Sequence, residues 1–448
     1  MTVRPAVDDW RRFGDGRFRA FHYLALCQGV VSVLAGFDVV IPFALAIGVP
    51  PFLAVLLGVV PLAGGMAQLV MPRLLNRTDG NMRGVTIFIA ALSEPRGLYL
   101  AALVLLVASG ALVGPLAFLA LAVLVALTSV LSSVAASNLL SWYSAILPEQ
   151  ERRLVVPRMM AVSLAIGALL LLPMAFALDG LAQRFGLMAY ALPFLVSGVL
   201  GLAEVFVLYR LRHPGRVVVP PAALGKDTES NEAPDFRRFL HVSSINALGM
   251  GFAPSMSVFM ISVLGLSAGF SMTVGAIGTL TMVTAAAVAG SRLARGSSEQ
   301  LLRHSFGIRA VAMFLPLLAW PGTVTAPFLM IGTAMLGAIG FTSGQLAANE
   351  RLFRLIRGPA VVRQHARYLA RTSGAMTAGQ IVGAGVVALG MPIGYPAFAF
   401  LYGISSVVRV IAWRAAAAPR VIAVEASALQ PTTLENQKTA EAGATAVV

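Results

Sequence analysis

The chain is dominated by long apolar segments, many of them continuous over the length of a membrane-spanning helix. A helix crosses the hydrocarbon core in about 20 residues, and in lipid it satisfies its own backbone hydrogen bonds. Charged residues make up only 12% of the sequence, against roughly 25% in soluble domains. The pattern predicts an all-α polytopic membrane protein, because a membrane β-barrel would alternate apolar and polar residues in short strands.

Twelve segments have the length and composition of membrane-spanning helices, and we number these predicted spans in chain order. They cover residues 20–46, 51–71, 84–109, 115–146, 155–178, 186–209, 239–263, 267–290, 306–324, 325–348, 369–391 and 394–415. Only the turn sequence WPGT, which begins at Trp320, separates the ninth span from the tenth.

Basic residues fall mainly in alternate connections between the spans. The loops after the even-numbered spans are rich in arginine, whereas the intervening short loops hold only Arg184. Positive charge marks the cytoplasmic side of a membrane protein. The pattern therefore predicts a multi-pass protein of the plasma (inner) membrane with both termini in the cytoplasm. Because the bases sit in these loops, the net charge of +14 does not indicate nucleic acid as a partner.

Two six-span halves are predicted on either side of a long polar linker. Residues 210–238 are rich in proline and charge, which is typical of a linker. The tail after Arg420 is rich in alanine, threonine and glutamate and is predicted to be disordered. The organisation predicted is a cytoplasmic N-terminal tail (1–19), an N-terminal six-helix bundle (20–209), the linker (210–238), a C-terminal six-helix bundle (239–415) and a disordered cytoplasmic tail (416–448).

The two halves carry similar residues in equivalent places. FRAF at 18–21 opens the first span, and FRRF at 236–239 opens the seventh. At a shift of 211 residues the fourth and tenth spans and their loops also match: Asn138 with Asn349, Trp142 with Phe353, Pro148 with Pro359 and Arg152 with Arg363. Parallel repeats of this kind are an architecture of membrane transporters.

With twelve spans, a duplicated six-span unit and a long central loop, residues 18–415 resemble the major facilitator superfamily (MFS). The family's signature loop, G-x-L-x-D-R-x-G-R-R, is present in eroded form as PRLLNRTDGNMRG, where Arg77, Gly80 and Arg83 fit and the aspartate has no clear counterpart. The resemblance implies two pseudo-symmetric six-helix bundles. It also implies that the first, fourth, seventh and tenth helices line a central cavity, with the third helix at the outer flank.

The energy source is inferred from motifs that the sequence lacks. An ATP-driven pump needs a phosphate-binding loop, G-x-x-x-x-G-K-[ST], but the only Gly-Lys pair is followed by Asp227. The single cysteine, Cys27, and the lack of a His/Cys cluster do not fit a metal centre. We therefore predict no enzymatic activity and no cofactor, and expect a secondary transporter driven by an ion or solute gradient.

Acidic residues within the spans are the candidates for proton coupling, because ionisable groups inside a membrane are costly. The candidates are Asp38, Glu94 and Glu350. Asp38 comes about 18 residues after the start of the first span, or about 27 Å along the helix axis, which places it in the outer half. There it would carry a proton or bind substrate; the alternative is a hydrated residue near the outer interface.

The third span contains the sequence SEPRG, with Glu94, Pro95 and Arg96 near the middle of the membrane. Pro95 removes a backbone hydrogen bond and crowds the Ala91 carbonyl, which predicts a kink. Residues two apart do not face each other on a regular helix, so a local Glu94–Arg96 pair is expected only if the kink brings the side chains together. A polar kink that anchors the third helix to its neighbours is favoured over a proton relay.

Amide side chains on the presumed cavity helices are the candidates for contact with substrate. They are Gln28, Asn138, Asn246, Gln345 and Asn349. Asn138 and the pair Asn349-Glu350 occupy equivalent places in the repeat, which fits either an inner gate or hydrogen bonds between helices. Gln28 and Asn246 are equivalent at a shift of 218 residues and could bind a substrate or each other.

Three more charged residues are candidates for charge pairs or gates: Arg96, Arg371 and Glu204. Arg371 would pair with Glu350 or bind an anion. Glu204 is predicted to extend toward water at the cytoplasmic end of the sixth span, with Arg210 or Arg212 as its partner.

The sequence thus predicts a proton-coupled transporter of a small organic solute, with efflux as one direction. The cavity helices carry few charges, which suits a neutral or amphipathic solute. The alternatives are a metabolite importer or facilitator, and a transporter-like protein that has lost transport and acts in assembly or sensing. The expected partners are the solute, the lipid bilayer and protons, and the protein is expected to be a monomer.

Overall fold

The structure is a computed structural model in which the described residues form helices joined by short turns. It describes residues 18–70, 74, 77–78, 81–146, 149–211, 234–252, 255–293, 298–355, 361–390 and 394–417, without the side chains of 61–63, 68, 82, 136–146, 149–154, 156–157, 255, 290–291, 293, 353–354, 361–366 and 390. Most of the predicted linker and all but two residues of the predicted C-terminal tail therefore lie outside the described residues.

The described residues of the N-terminal half, taken as residues 18–211, form nine α-helices, and those of the C-terminal half, taken as residues 234–417, form seven. The first nine are α1 (Arg19–Leu34), α2 (Phe37–Ala46), α3 (Pro51–Leu57), α4 (Val59–Gly64), α5 (Met82–Ser93), α6 (Arg96–Ala108), α7 (Pro115–Ile146), α8 (Glu149–Phe185) and α9 (Ala191–Arg210). The others are α10 (Pro234–Met250), α11 (Ser255–Val258), α12 (Ala268–Leu293), α13 (Ser298–Phe314), α14 (Thr325–Leu355), α15 (Val361–Gly390) and α16 (Tyr395–Ala417). Short 3₁₀ segments at Gly65–Val70, Gly186–Tyr190 and Leu315–Leu318 and a π-helical turn at Phe259–Val263 extend or join them.

Within the described part of the chain, nine helical segments are long and apolar enough to cross a membrane. One of them, Arg158–Arg210, has 53 residues, more than twice the ~20 that one crossing needs, and it contains most of the predicted fifth span and all of the sixth. The predicted second and seventh spans are divided into shorter helices and are not among the nine. These segments establish a multi-pass membrane protein, while the number twelve stays a prediction.

Besides the second span, three predicted spans are interrupted within the described part of the chain. The first breaks at Ala35 and Gly36, between α1 and α2, and the seventh breaks after Met250, between α10 and α11. A Gly-Phe dipeptide lies at each break: Gly36 ends the first break and Phe37 begins α2, and Gly251 and Phe252 directly follow α10. The third span ends its first helix at Ser93 and starts the next at Arg96, which confirms the interruption predicted from Pro95.

The predicted ninth span is wrong at both ends. Residues 306–324 were expected to cross the membrane, but α13 already begins at Ser298 and its 3₁₀ extension ends at Leu318. The first turn carries Glu299, so hydropathy does not detect it although its backbone is helical. Gly322 has a φ of 76°, a left-handed conformation that glycine adopts readily, and the chain turns there before α14 begins.

The apolar core is continuous between the two halves at one side of the molecule and divided at the other. One cluster joins α2, α3 and α6 of the N-terminal half to α12, α14 and α16 of the C-terminal half. At the other side, where α1 begins and α9 ends, one cluster lies within the N-terminal half and another within the C-terminal half. We call these the joined side and the divided side. The halves also pack through α8 against α12 and through α3 and α4 against α15.

Candidate functional site

Asp38 lies where the two halves meet. It occupies the first turn of α2, after Gly36 has ended the break in the first span. A β-carbon added at Gly275 of α12 would come within 2.9 Å of Asp38 Oδ1. The carboxyl group is half-buried and packs directly on the backbone of the other half. Asp38 is therefore a contact residue between the halves.

Asp179, which was not among the predicted site residues, makes a second polar contact between the halves. Its Oδ2 accepts a hydrogen bond of 2.7 Å from the Ser267 hydroxyl, and its Oδ1 accepts one of 3.0 Å from the Gly269 N–H. Ser267 also accepts a hydrogen bond from the Phe270 N–H and so caps α12. A carboxylate is favoured at the N-terminus of a helix. Asp179 was missed because it lies one residue beyond the predicted fifth span.

The kink at Pro95 is packed closely against the sixth span. A β-carbon added at Gly201 of α9 would collide with the Glu94 carbonyl oxygen, and one at Gly97 would collide with the Phe194 carbonyl oxygen. Arg96 donates a hydrogen bond of 3.2 Å from its NH2 group to the Val31 carbonyl of α1. The kink thus contacts both the sixth span and α1, while its role as an anchor of the third span stays a prediction.

Glu204 is buried, with 2% of its surface exposed. Its Oε1 accepts a hydrogen bond of 3.0 Å from Gln28 Nε2. The prediction that Glu204 extends to water beside Arg210 or Arg212 is therefore wrong. Hydropathy places Glu204 near the end of the sixth span but does not reveal that this face of α9 packs against α1. Of the two roles left open for Gln28 and Asn246, a bond between them is not formed, because Gln28 donates to Glu204 and the Asn246 amide donates to Met250 Sδ on its own helix.

A polar cavity of about 160 Å³ lies inside the N-terminal half, between α1, α5, α6, α7 and α9. Its polar lining includes Gln28, Glu94, Arg96, Ser132 and Glu204, and we call it the acidic cavity because two carboxylates and one guanidinium face it. The kink thus brings Glu94 and Arg96 to the same side. Among the residues that the structure describes, no hydrogen-bond partner reaches Glu204 Oε2, Arg96 Nε or Ser132 Oγ.

A second cavity, of about 240 Å³, adjoins the acidic cavity and shares Arg96 and Ser132 with it. Hydroxyl groups line one side of it, and Leu100 and Val125 line another. Its hydroxyls on α7 are those of Thr128, Ser129, Ser132 and Ser133. These hydroxyls were not among the predicted site residues. Their spacing could have indicated them, because residues four apart on a helix share a face and the four form the pairs 128/132 and 129/133.

In the C-terminal half, arginines occupy the places that correspond to the acidic cavity. Arg309 lies on the ninth span and Arg409 on the twelfth, as Glu94 and Glu204 lie on the third and sixth. Arg309 has 4% of its surface exposed, and Arg409 has 2%. Arg409 donates to the Arg309 carbonyl at 3.0 Å and to the Gly249 carbonyl at 3.1 Å, while Arg309 donates to the Phe341 carbonyl at 2.9 Å. Each half therefore carries buried or half-buried charged side chains on its third and sixth spans: Glu94, Arg96 and Glu204 in the N-terminal half, and Arg309 and Arg409 in the C-terminal half.

The remaining predicted residues lie apart from the acidic cavity. Gln345 donates to Asn349 one turn along α14 at 3.4 Å, and Glu350 follows on the same helix. Arg371 is exposed on α15. The side chain of Asn138 lies outside the described residues, so its match with Asn349 stays a prediction.

The fold agrees with solved structures of membrane transporters. A bacterial homologue of the iron transporter ferroportin in its inward-facing state has a TM-score of 0.65 and 16% sequence identity, with 90% of this chain and 99% of that chain covered. The nucleoside transporter NupG has a TM-score of 0.61 and 12% identity, over 89% and 97% of the chains. A D-xylose–proton symporter has a TM-score of 0.62 and 12% identity, over 87% and 96%.

No protein-family model matches the sequence, and no curated protein sequence matches it. The similarity to the three transporters therefore rests on the three-dimensional path of the backbone and not on the sequence. At these identities it establishes the fold alone.

Proposed function

This chain has the fold of the major facilitator superfamily of transporters, and from that premise we propose that it is a secondary active transporter of a small organic solute, coupled to protons. The resemblance inferred from the sequence is confirmed at the level of the fold. We propose further that the helices form twelve spans in two bundles, 20–209 and 239–415, in the plasma membrane as a monomer with both termini in the cytoplasm.

The breaks in the first and seventh spans support the two-bundle arrangement. A Gly-Phe dipeptide lies at each break, Gly36-Phe37 at the end of the first and Gly251-Phe252 at the start of the second, and each break lies in the first span of its half. Interrupted helices at corresponding places of two repeats mark the binding region in several transporter folds. We therefore propose that the solute path lies between the halves, near these two breaks.

The position of Asp38 against Gly275 is the single observation that carries the proposal of proton coupling. The carboxyl group lies on α2 of one half and rests on α12 of the other, so any separation of the halves at the joined side changes its surroundings. Burying a charged carboxylate costs several kcal/mol, whereas a protonated one is neutral. Loss of the proton therefore favours separation of the halves at this side.

The groups around Asp38 leave its charge without a basic partner. Among the described elements that pack against α2, namely α1, α3, α11, α12 and the 3₁₀ segment Gly186–Tyr190, the bases are Arg19 and His22 at the start of α1 and Arg292 at the far end of α12. Tyr190, Tyr23 and Cys27 are the other ionisable groups in these elements. The dipole of α2 favours the charged form by about 1 kcal/mol, and the partial burial of the carboxyl group opposes it.

Export of a neutral or amphipathic solute is the direction to test first, since few charges lie on the presumed cavity helices. Import of a metabolite is the alternative within transport. A protein of another class, which keeps the fold but serves assembly or sensing, would show no solute movement under any gradient.

The test is transport in sealed proteoliposomes with an imposed pH gradient. A panel of neutral and amphipathic solutes is offered, and proton movement is followed with a pH-sensitive dye inside the vesicles. Asp38→Asn should abolish solute-dependent proton flux while leaving exchange of solute across the membrane intact. The matched control is Asp235→Asn, because Asp235 also lies in the first turn of a helix but is exposed.

Two outcomes would contradict the proposal. If Asp38→Asn transports and moves protons as the wild type does, Asp38 is not the coupling group. If no solute in the panel moves in either direction with the wild type, the transport-inactive alternative replaces transport.

A further inference from the structure

The acidic cavity is separate from Asp38 and from the contact between the halves. All of its lining residues belong to the N-terminal half, and Asp38 is not among them. It lies between the spans of one bundle, where the polar groups of a membrane protein are costly unless they are paired. The proposed solute path between the halves does not account for it.

The charges that face the cavity do not balance. Glu94 and Glu204 contribute two negative charges, and Arg96 contributes one positive charge, which leaves an excess of one negative charge when all three are ionised. The Ser93 hydroxyl donates to Glu94 Oε1 at 3.3 Å, and Gln28 donates to Glu204 Oε1. Glu204 Oε2 is buried and has no partner among the described residues. A single positive charge placed beside it would complete the site.

The lining of the cavity also offers hydrogen-bond donors. Among the described residues, neither Arg96 Nε nor the Ser132 hydroxyl has a hydrogen-bond partner. Both residues also line the adjoining cavity. A guanidinium N–H can only donate, and a hydroxyl can donate or accept. A ligand that serves both the carboxylates and these two groups therefore has a cationic donor and a hydrogen-bond acceptor.

The size of the cavity limits the ligand to a few heavy atoms. Its volume of about 160 Å³ is close to that of a cavity of roughly 150 Å³ in another protein that binds benzene. Apolar substituents have room only toward the adjoining cavity, where Leu100 and Val125 form part of the lining.

We propose that the acidic cavity binds a small primary ammonium ion that carries a hydrogen-bond acceptor. The ammonium group lies between Glu94 and Glu204 Oε2, and the acceptor receives hydrogen bonds from Arg96 Nε and Ser132. This binding is an equilibrium property of the N-terminal half and does not depend on whether the protein transports a solute or couples to protons.

Ethanolamine, which has an ammonium group and a hydroxyl two carbons apart, is the probe. The melting temperature of purified protein in detergent is measured against ethanolamine hydrochloride at constant ionic strength, with N-methylglucamine chloride as the replaced salt. A ligand that binds only the folded state raises the melting temperature in a saturable way. Ethylene glycol is similar in size to ethanolamine but uncharged, and it should not change the melting temperature. Sodium chloride tests whether a cation without a hydrogen-bond acceptor is enough to raise it.

Glu204→Gln and Glu94→Gln should each weaken the ethanolamine effect at least tenfold in the concentration required. Glu299→Gln is the matched control, because that acid lies outside the cavity in an ion pair with Arg351. If the Glu204 variant does not fold, Ser132→Leu blocks the cavity without changing its charge and should also remove the effect.

Three results would overturn the proposal. Ethanolamine has no saturable effect on the wild type; sodium alone stabilises the protein as strongly and ethanolamine adds nothing; or the folded cavity variants respond to ethanolamine as the Glu299→Gln control does.

Discussion

The Gln28 amide and the Glu204 carboxylate, 176 residues apart in sequence, are joined by a hydrogen bond of 3.0 Å inside the N-terminal half. The bond ties α1 to α9 and leaves the second carboxylate oxygen facing the acidic cavity. A buried charge with one hydrogen-bond donor is sensitive to loss of that donor.

Gln28→Leu should lower the free energy of unfolding by about 2 kcal/mol, because it leaves a buried carboxylate without its donor. Unfolding in detergent, followed by circular dichroism, measures the change. Replacing both partners, as Gln28→Leu with Glu204→Met, should recover most of the loss, since no unpaired charge remains. An unchanged stability in the single variant would mean that water or another group serves Glu204 equally well.

Asp179→Ala should loosen the contact between the halves at α12. The substitution removes hydrogen bonds to the Ser267 hydroxyl and the Gly269 N–H, and loss of about 1.5 kcal/mol shifts the balance of conformations roughly tenfold. Spin labels at Phe185→Cys and Val324→Cys, both exposed positions, report the separation by electron paramagnetic resonance after Cys27→Ser. We expect a larger population with a long distance between the two labels than in the labelled parent. An identical distance distribution would show that Asp179 does not hold the halves together.

Gly201→Ala should destabilise the protein by about 1–3 kcal/mol, because the added β-carbon meets the Glu94 carbonyl in a tightly packed interior. Gly403→Ala is the matched control: it also lies within a helix, but nothing lies within 4 Å of an added β-carbon. That control should be neutral or slightly stabilising, since alanine favours a helix over glycine. Thermal unfolding of the two variants compares them, and equal melting temperatures would show that α9 moves away from the kink at little cost.

Arg409→Lys should cost about 1.5 kcal/mol although the charge is kept. The guanidinium reaches the Arg309 and Gly249 carbonyls with two nitrogens, and a single ammonium group lacks this forked geometry. Arg414→Lys, on the exposed face of the same helix, is the control and should leave the melting temperature unchanged. If both variants melt alike, the buried arginine does not act as a cross-link between α10, α13 and α16.

The sequence alone was sufficient for the class of protein. Apolar segments of membrane-spanning length required helices, because lipid offers no partner for backbone groups. The start and end of α7 at residues 115 and 146 were predicted from hydropathy, and Pro95 predicted the break between α5 and α6. Helix ends outside the hydrocarbon region, such as the first turn of α13, were not predicted. Polar residues there do not distinguish a helix in water from a loop.

Only the tertiary structure decided which polar groups share a site. Glu94 and Glu204 belong to different spans, and no periodicity within either span says that α9 packs on the kink of the third. The close approach depends on Gly97 and Gly201 facing the neighbouring helix, and Gln28 reaches Glu204 only because α1 lies beside α9. Local hydrogen bonding and hydropathy are properties of a segment and are visible in its residues. The pairing of buried charges depends on packing between distant segments, so it appears only in the folded chain.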